Sequence, residues 1–77
     1  MEPKPIYGEV ITVKKNGYGF ILYIDENNLP KNIFYNVNDC VGKSSLKEGD
    51  KVTFLICDDE NRSTKKRKAV YVKKDKN

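Results

Sequence analysis

Short runs of β-branched and aromatic residues, each followed by a turn signal, constrain this chain more than any other feature. Residues 7–14 are rich in Val, Ile and Thr, and residues 51–57 alternate apolar with polar side chains. Both patterns are typical of strands, and no segment shows an apolar repeat of helical period. With 77 residues the chain is long enough for one domain with one small core. The sequence therefore predicts a single all-β domain.

The pattern predicts five strands, at residues 7–14, 18–24, 32–37, 51–57 and 68–73, with one short helical turn near residues 37–40. Asn16-Gly17 predicts a tight hairpin between the first two strands. Short strands at this spacing favour a small antiparallel barrel, although periodicity alone does not separate an OB-type barrel from another small barrel. We expect a flexible N-terminal arm at residues 1–5, the domain at 6–73 and a basic flexible tail at 74–77.

Alternation along the strands predicts which side chains fill the barrel. Leu46, outside the strands, is expected to close the core. The predicted inner set comprises Val10, Ile21, Ile33, Val52, Phe54, Ile56, Val70 and Val72.

Three aromatic residues fall on the opposite face of their strands. Tyr18 and Phe20 stand two residues apart and so share a face, and Phe34 on the third strand joins them. Periodicity alone leaves open that all three are core residues. The inner set is already sufficient, so we expect rings exposed to water and coplanar enough for unpaired bases to stack on them.

Charge supports a polyanionic partner. The net charge is +4, and Lys14, Lys15, Lys65 and Lys68 lie where they could contact phosphate. The alternative is that the basic stretch at 65–68 is a solvated loop. Catalysis has little support, because the chain contains no histidine and its two cysteines, Cys40 and Cys57, cannot complete a zinc site alone. We expect no catalytic residue, metal or cofactor, and a monomer without membrane contact, located in the cytoplasm.

Five segments, in order along residues 8–72, resemble motifs of the cold-shock domain family. Residues 16–21 are similar to its Lys-Gly-Phe-Gly-Phe-Ile motif, and residues 32–37 to its Asp-Val-Phe-Val-His-Phe motif. The other three matches are the Gly-Glu-Val at 8–10, the segment at 46–54 and the Ala-Val-Tyr-Val at 69–72. The resemblance implies a five-stranded OB-type barrel that binds single-stranded RNA or DNA.

Carried over residue by residue, the resemblance makes Tyr18, Phe20 and Phe34 base-stacking positions. Asn36 replaces the family's histidine and keeps a hydrogen-bonding edge, and Asn16 offers another. Val37 replaces a phenylalanine, and residues 11–13 replace Lys-Trp-Phe, so the platform is reduced to about three rings.

The resulting expectation is low-specificity binding of single-stranded nucleic acid, RNA favoured over DNA, with a role as RNA chaperone or as regulator of translation or transcription. Two alternatives remain open at this point. A barrel with fewer rings could serve as a protein-interaction module, or it could contact structured RNA as OB domains of translation factors do.

Overall fold

The computed structural model describes residues 4–41, 46–58 and 67–75, which form five strands and one turn of 3₁₀ helix. The strands close into a barrel in the order β1-β2-β3-β5-β4, with β4 returning to β1. The predicted strands and helical turn are therefore confirmed, with bounds shifted by at most two residues. The elements are β1 (Ile6–Lys14), β2 (Tyr18–Ile24), β3 (Pro30–Asn36), η1 (Val37–Asp39), β4 (Lys51–Asp58) and β5 (Arg67–Lys74).

Strand pairing is antiparallel at four of the five contacts, and parallel between β3 and β5. The five-stranded antiparallel OB-type barrel expected from the sequence is therefore confirmed, with one parallel pair within it. β3 and β5 run in the same direction because five strands close the ring, and four antiparallel contacts leave the fifth parallel. The parallel contact is short, with Phe34 opposite Lys68 and Tyr35 opposite Ala69.

The core contains six of the eight predicted inner residues, and Ile56 and Leu46 pack against it while partly exposed. Tyr35, at 3% exposure, and Ala69, at 0%, are buried residues that the prediction omitted. Val70, which was predicted to point inward, is only half-buried. The buried residues are Val10, Ile21, Ile33, Tyr35, Val52, Phe54, Ala69 and Val72.

An irregularity in β5 explains the error at Val70. The register with β4 shifts between the Leu55–Val70 and Thr53–Lys73 pairs, and Tyr71 between them has a φ of 52°. A left-handed residue within a strand interrupts the alternation of faces. Consequently Ala69 and Val72, three residues apart, both point into the barrel.

The hairpin that Asn16-Gly17 predicted connects β1 and β2, with the strand ends expected from the sequence. Lys14 pairs with Tyr18, which leaves residues 15–17 in the loop. The amide of Gly17 donates to the carbonyl of Lys14 at 3.1 Å, and only Gly17 in this loop has a positive φ, of 89°. A turn followed by one left-handed glycine is the usual three-residue hairpin.

The ends of the domain differ slightly from the prediction. Lys74, assigned to the tail, belongs to β5 and lies opposite Val52, and the amide of Asp75 donates to the carbonyl of Lys51 at 2.8 Å. Residues 1–3 of the predicted arm and residues 76–77 of the predicted tail lie outside the described residues. Within the described ranges no helix has the length and apolar character needed to cross a membrane.

Candidate nucleic-acid interface

Most of the residues that the sequence singled out lie in two adjacent rows on the outer face of the barrel. The first row runs Thr12, Phe20, Phe34, Lys68 across β1, β2, β3 and β5, each residue opposite the next. The second runs Lys14, Tyr18, Asn36 across β1, β2 and β3. Residues opposite one another across strands share a face, so the pairing brings six of the nine predicted site residues onto one surface.

The outward direction of these rows follows from their neighbours in sequence. Val10, Ile21 and Ile33 pair across the same three strands and are all within the buried core. Phe20 and Phe34 are each adjacent to one of these buried residues and so point the other way. Thr12 stands two residues after the buried Val10 and would point inward in a regular strand. A β-bulge between the two residues turns Thr12 to the outer face. The interpretation of the three aromatics as core residues is therefore wrong.

Tyr18, Phe20 and Phe34 form one aromatic cluster. Ring centroids are 6.2 Å apart for Tyr18 and Phe20, 5.6 Å for Tyr18 and Phe34, and 6.1 Å for Phe20 and Phe34. Each ring is half-buried by the other two and by the sheet. The sequence predicted coplanar rings, and the structure corrects this. The ring planes of Tyr18 and Phe34 are tilted by 31° to each other, and Phe20 stands edge-on to both, at 84° and 72°. Edge-to-face packing is a favourable arrangement for neighbouring rings, and here it leaves Tyr18 and Phe34 closest to one plane.

Two grooves flank the aromatic cluster, and cations line both. The terminal cleft, of about 160 Å³, lies beside Tyr18 and includes Lys14 and Lys15. The lateral groove, of about 470 Å³, lies beside Phe20 and Phe34 and includes Lys31 and Arg67. No carboxylate is among the described residues that line either groove. Both grooves adjoining the rings are thus suited to an anionic ligand.

The predicted site residues outside the aromatic cluster differ in exposure and in the interactions that compete with a ligand. Lys14, Lys15 and Asn16 are exposed on the hairpin. Lys68 forms an ion pair with Asp39, with Nζ 3.5 Å from Oδ2 and side chains only 24% and 21% exposed. The fourth predicted phosphate contact, Lys65, lies outside the described residues. Lysines at the hairpin therefore have fewer competing interactions than Lys68.

Asn36 has a structural role besides its place in the second row. Its Oδ1 accepts a hydrogen bond from the amide of Asn38 at 2.9 Å and caps η1. The capping bond orients the side chain, and its NH₂ can donate to a ligand.

Sequence reasoning missed Lys31, Arg67 and Tyr35. Lys31 was placed before the third strand, whereas β3 begins at Pro30 and puts Lys31 opposite Tyr23. Arg67 lay in the basic stretch but was not selected, and its pairing with Asp58 at the start of β5 brings it to the lateral groove. Tyr35 was counted with neither the inner set nor the site. It is buried, yet it lines the terminal cleft.

The described residues contain no group of side chains suited to bind a metal ion. No three Cys, Asp or Glu side chains there are grouped as a cation site, and the chain has no histidine. Burial raises the pKa of the Cys40 thiol, and the nearby Asp39 carboxylate raises it further. A raised pKa disfavours the reactive thiolate at neutral pH.

The closed five-stranded β-barrel defines this chain as an OB-type barrel with the fold of a cold-shock domain. Among seven solved chains that match is a Drosophila Unr cold-shock domain chain, CSD456, with a TM-score of 0.81 and 20% sequence identity. The match covers 97% of this chain and 32% of that one, so this chain spans about a third of its length. The chain matches no protein-family profile and no curated protein sequence.

Proposed function

We propose that this chain is a binding module, not an enzyme, that binds single-stranded nucleic acid with low sequence specificity, by stacking bases on the aromatic cluster and contacting phosphates with lysines. The observation that carries the proposal is the outward position of Tyr18, Phe20 and Phe34 beside two cation-lined grooves. Apolar rings at the surface of so small a domain are unfavourable in water unless a partner covers them.

Stacking explains why the partner is single-stranded. Bases in a duplex are stacked on one another, whereas an unpaired base can lie on an aromatic ring whatever its identity. Tyr18 and Phe34, tilted by only 31°, are the two rings best placed to receive bases, while Phe20 supports them edge-on.

Phosphate contacts supply the remaining affinity and make it depend on salt. Lys14 lies opposite Tyr18 in the second row, and Lys15 follows it in the hairpin. For a single strand the logarithm of affinity falls with the logarithm of salt concentration by about 0.7 per neutralised phosphate. Preference for RNA over DNA, and a role as RNA chaperone or regulator of translation or transcription, rest on analogy with other proteins of this fold.

The test is titration of the isotope-labelled protein with a short single-stranded oligopyrimidine at two salt concentrations, following individual amides. We expect the largest shifts at Tyr18, Phe20 and Phe34. The Tyr18→Ala/Phe34→Ala double variant should bind about 10-fold or more weakly, since stacking contributes about 1–3 kcal/mol per base. Tyr7→Ala is the matched control, because Tyr7 is 66% exposed and lies opposite Thr53, away from the cluster.

Two outcomes would contradict the mechanism. Undiminished affinity of the double variant would show that the rings do not receive bases. Equal affinity for a duplex of the same length, with steep salt dependence, would favour an OB domain that contacts structured RNA through its cations alone.

A second candidate function is protein binding, and a separate surface favours it. Val41 and Tyr71, at 50% and 67% exposure, line a groove of about 540 Å³ between η1 and β5, together with Val70 and Cys57. Exposed apolar side chains around a groove are typical of protein-interaction sites. Unchanged oligonucleotide affinity in the double variant would favour this candidate.

A further inference from the structure

The outer face of β2 carries an apolar stripe that continues beyond the aromatic cluster. Every second residue of the strand points outward, and these residues are all aromatic or aliphatic: Tyr18, Phe20, Leu22 and Ile24, here called the β2 stripe. Leu22 and Ile24 are 37% and 57% exposed. At about 3.3 Å per residue, the stripe is roughly 20 Å long. So long an apolar surface on a small domain calls for a partner that covers it.

The aliphatic end of the stripe is unsuited to nucleic acid. Its side chains have no aromatic face on which a base could stack, and Pro30, opposite Ile24, extends the apolar surface. Leu22 lies between Asn32 of β3 and Glu9 of β1, and neither neighbour is a cation that could contact a phosphate. Contiguous exposed apolar surface of this kind is typical of a protein-interaction site.

Charges of opposite sign stand at the two ends of the β2 stripe. Lys14 and Lys15 are exposed in the hairpin that precedes the stripe, and Asp25 and Glu26 stand in the turn that follows it. Two backbone amides of that turn donate to Asp25 Oδ1 at 2.9 Å and hold the carboxylate at this end. A surface that is basic at one end and acidic at the other is complementary to its own copy when the two copies are antiparallel.

We propose that a second copy of this chain covers the β2 stripe, with the two β2 strands antiparallel and face to face about a two-fold axis. The axis passes between Phe20 and Leu22, so that Phe20 of each copy packs on Leu22 of the other. Tyr18 then packs on Ile24, and the basic hairpin of each copy lies near the acidic turn of the other. Because such an interface is isologous, each of these contacts occurs twice.

The size of this face predicts a weak dimer. A standard interface buries roughly 800 Å² per partner, and one short strand with its neighbours covers less than that. We expect a dissociation constant of roughly 10–100 µM, so the monomer expected from the sequence is the form at low concentration. The interface includes Tyr18 and Phe20, so a second copy and a nucleic-acid strand exclude each other. Self-association needs no nucleic acid, whereas this competition rests on the proposed function.

Sedimentation equilibrium of the full chain tests the dimer directly. Between about 5 and about 500 µM, a range that brackets the expected constant, the average mass should rise from 8.9 kDa toward twice that value. Ile24→Glu places a carboxylate in the apolar contact and should weaken self-association about 10-fold or more. Val41→Glu is the matched control, because Val41 is 50% exposed, beside the groove between η1 and β5, and should dimerise as the wild type does.

A charge exchange tests the antiparallel arrangement. Glu26→Lys brings a lysine near Lys14 and Lys15 of the other copy, and should weaken self-association about fivefold at low salt. Adding Lys15→Glu to the same chain restores opposite charges across the interface and should return the constant toward that of the wild type. Both effects should shrink in high salt, which screens exposed charges. A double variant as weak as Glu26→Lys alone would overturn the antiparallel arrangement.

The remaining outcomes separate the dimer from the proposed function. A wild type that stays monomeric to about 500 µM, or Ile24→Glu that dimerises like the wild type, would overturn the inference. If that monomeric wild type binds a short oligouridine, the proposed function stands alone. Adding the oligouridine to the dimer should yield complexes with one protein chain per strand, and a dimer that binds it without dissociating would contradict the shared face. A dimer that binds no oligonucleotide would support self-association and remove the proposed function.

Discussion

Phe20 and Phe34 lie directly opposite one another on antiparallel β2 and β3, with ring centroids 6.1 Å apart and ring planes at 72°. Cross-strand aromatic pairs of this geometry stabilise the sheet by about 0.5–1.5 kcal/mol beyond their buried area. The same two rings therefore contribute to folding and to the proposed binding surface.

The first prediction concerns the contribution of this ring pair to folding. In a double-mutant cycle, Phe20→Ala and Phe34→Ala should show a coupling of about 0.5–1.5 kcal/mol in the free energy of unfolding, measured by urea denaturation. Tyr7→Ala combined with Phe34→Ala is the control, because Tyr7 is 66% exposed and lies opposite Thr53 on β4, outside the cluster. We expect that pair to be additive. Additivity in the Phe20/Phe34 cycle would mean that the two rings do not stabilise each other.

The second prediction concerns the ion pair between Lys68 and Asp39. Lys68 stands beside Phe34 in the first row, and its Nζ lies 3.5 Å from Asp39 Oδ2. Asp39→Asn removes the competing carboxylate, so a phosphate can take its place beside the lysine. We expect oligonucleotide affinity to rise about two- to fivefold, with a salt slope steeper by about 0.7.

Lys68→Ala is the companion variant for this prediction. It should lower affinity and reduce the salt slope, and Asp39→Asn should have little further effect in that background. Higher affinity for Asp39→Asn in the absence of Lys68 would instead indicate that removing a negative charge acts generally and not through this pair.

Gly19 provides the third prediction. A Cβ atom at this position would lie 2.2 Å from the Thr12 carbonyl oxygen and 2.7 Å from the Tyr35 ring. Because a strand backbone cannot move away without breaking β1–β2 pairing, Gly19→Ala should destabilise the protein by about 1–3 kcal/mol or more, measured by urea denaturation.

Gly49→Ala is a useful comparison for the effect at Gly19. Gly49 has a φ of 97° and open space around its Cβ position, so its substitution reports backbone strain without a clash, at about 1–2 kcal/mol. Adding Tyr35→Phe to Gly19→Ala should restore little stability, since the contact with Thr12 remains. Full recovery would show that the tyrosine hydroxyl, not the strand backbone, limits the space.

Much of this architecture can be predicted from local pattern. Alternation in β4 correctly places Val52 and Phe54 in the core, and the spacing of Tyr18 and Phe20 correctly places both on the outer face. Each inference needs only the two-residue period of a strand. The same period fails in β5, because it assumes a regular strand and the left-handed Tyr71 interrupts the alternation.

Features that depend on long-range contacts were beyond sequence reasoning. The lateral groove is lined by Lys31 of β3 and Arg67 of β5, strands far apart in the chain, and the basic stretch that contains Arg67 does not indicate that the two share a groove. The burial of Tyr35 requires Gly19 on the neighbouring strand to make room for its ring. The ion pair of Lys68 depends on η1 lying against β5. In each case the decisive neighbour is set by barrel closure and not by sequence spacing.

The last prediction concerns stability at alkaline pH. Burial raises the pKa of the Cys40 thiol above 9.0 and that of the Tyr35 hydroxyl above 10.0. The Cys40 Sγ also donates to the Asn36 carbonyl at 3.9 Å, a bond that only the protonated thiol makes. Both groups then bind their proton more tightly in the folded state than in the unfolded chain. Their contribution to stability is fully present below the unfolded pKa and is lost as pH rises through the folded pKa.

We therefore expect the free energy of unfolding to fall as pH rises above about 9 through Cys40 and above about 10 through Tyr35, and the fall to become shallower in Cys40→Ala and in Tyr35→Phe. Tyr71→Phe is the control, since it removes a hydroxyl from a side chain that is 67% exposed, and it should leave the slope unchanged. Urea denaturation across this pH range is the measurement. Equal slopes in the wild type and in the two buried-site variants would mean that neither Cys40 nor Tyr35 contributes to the decline.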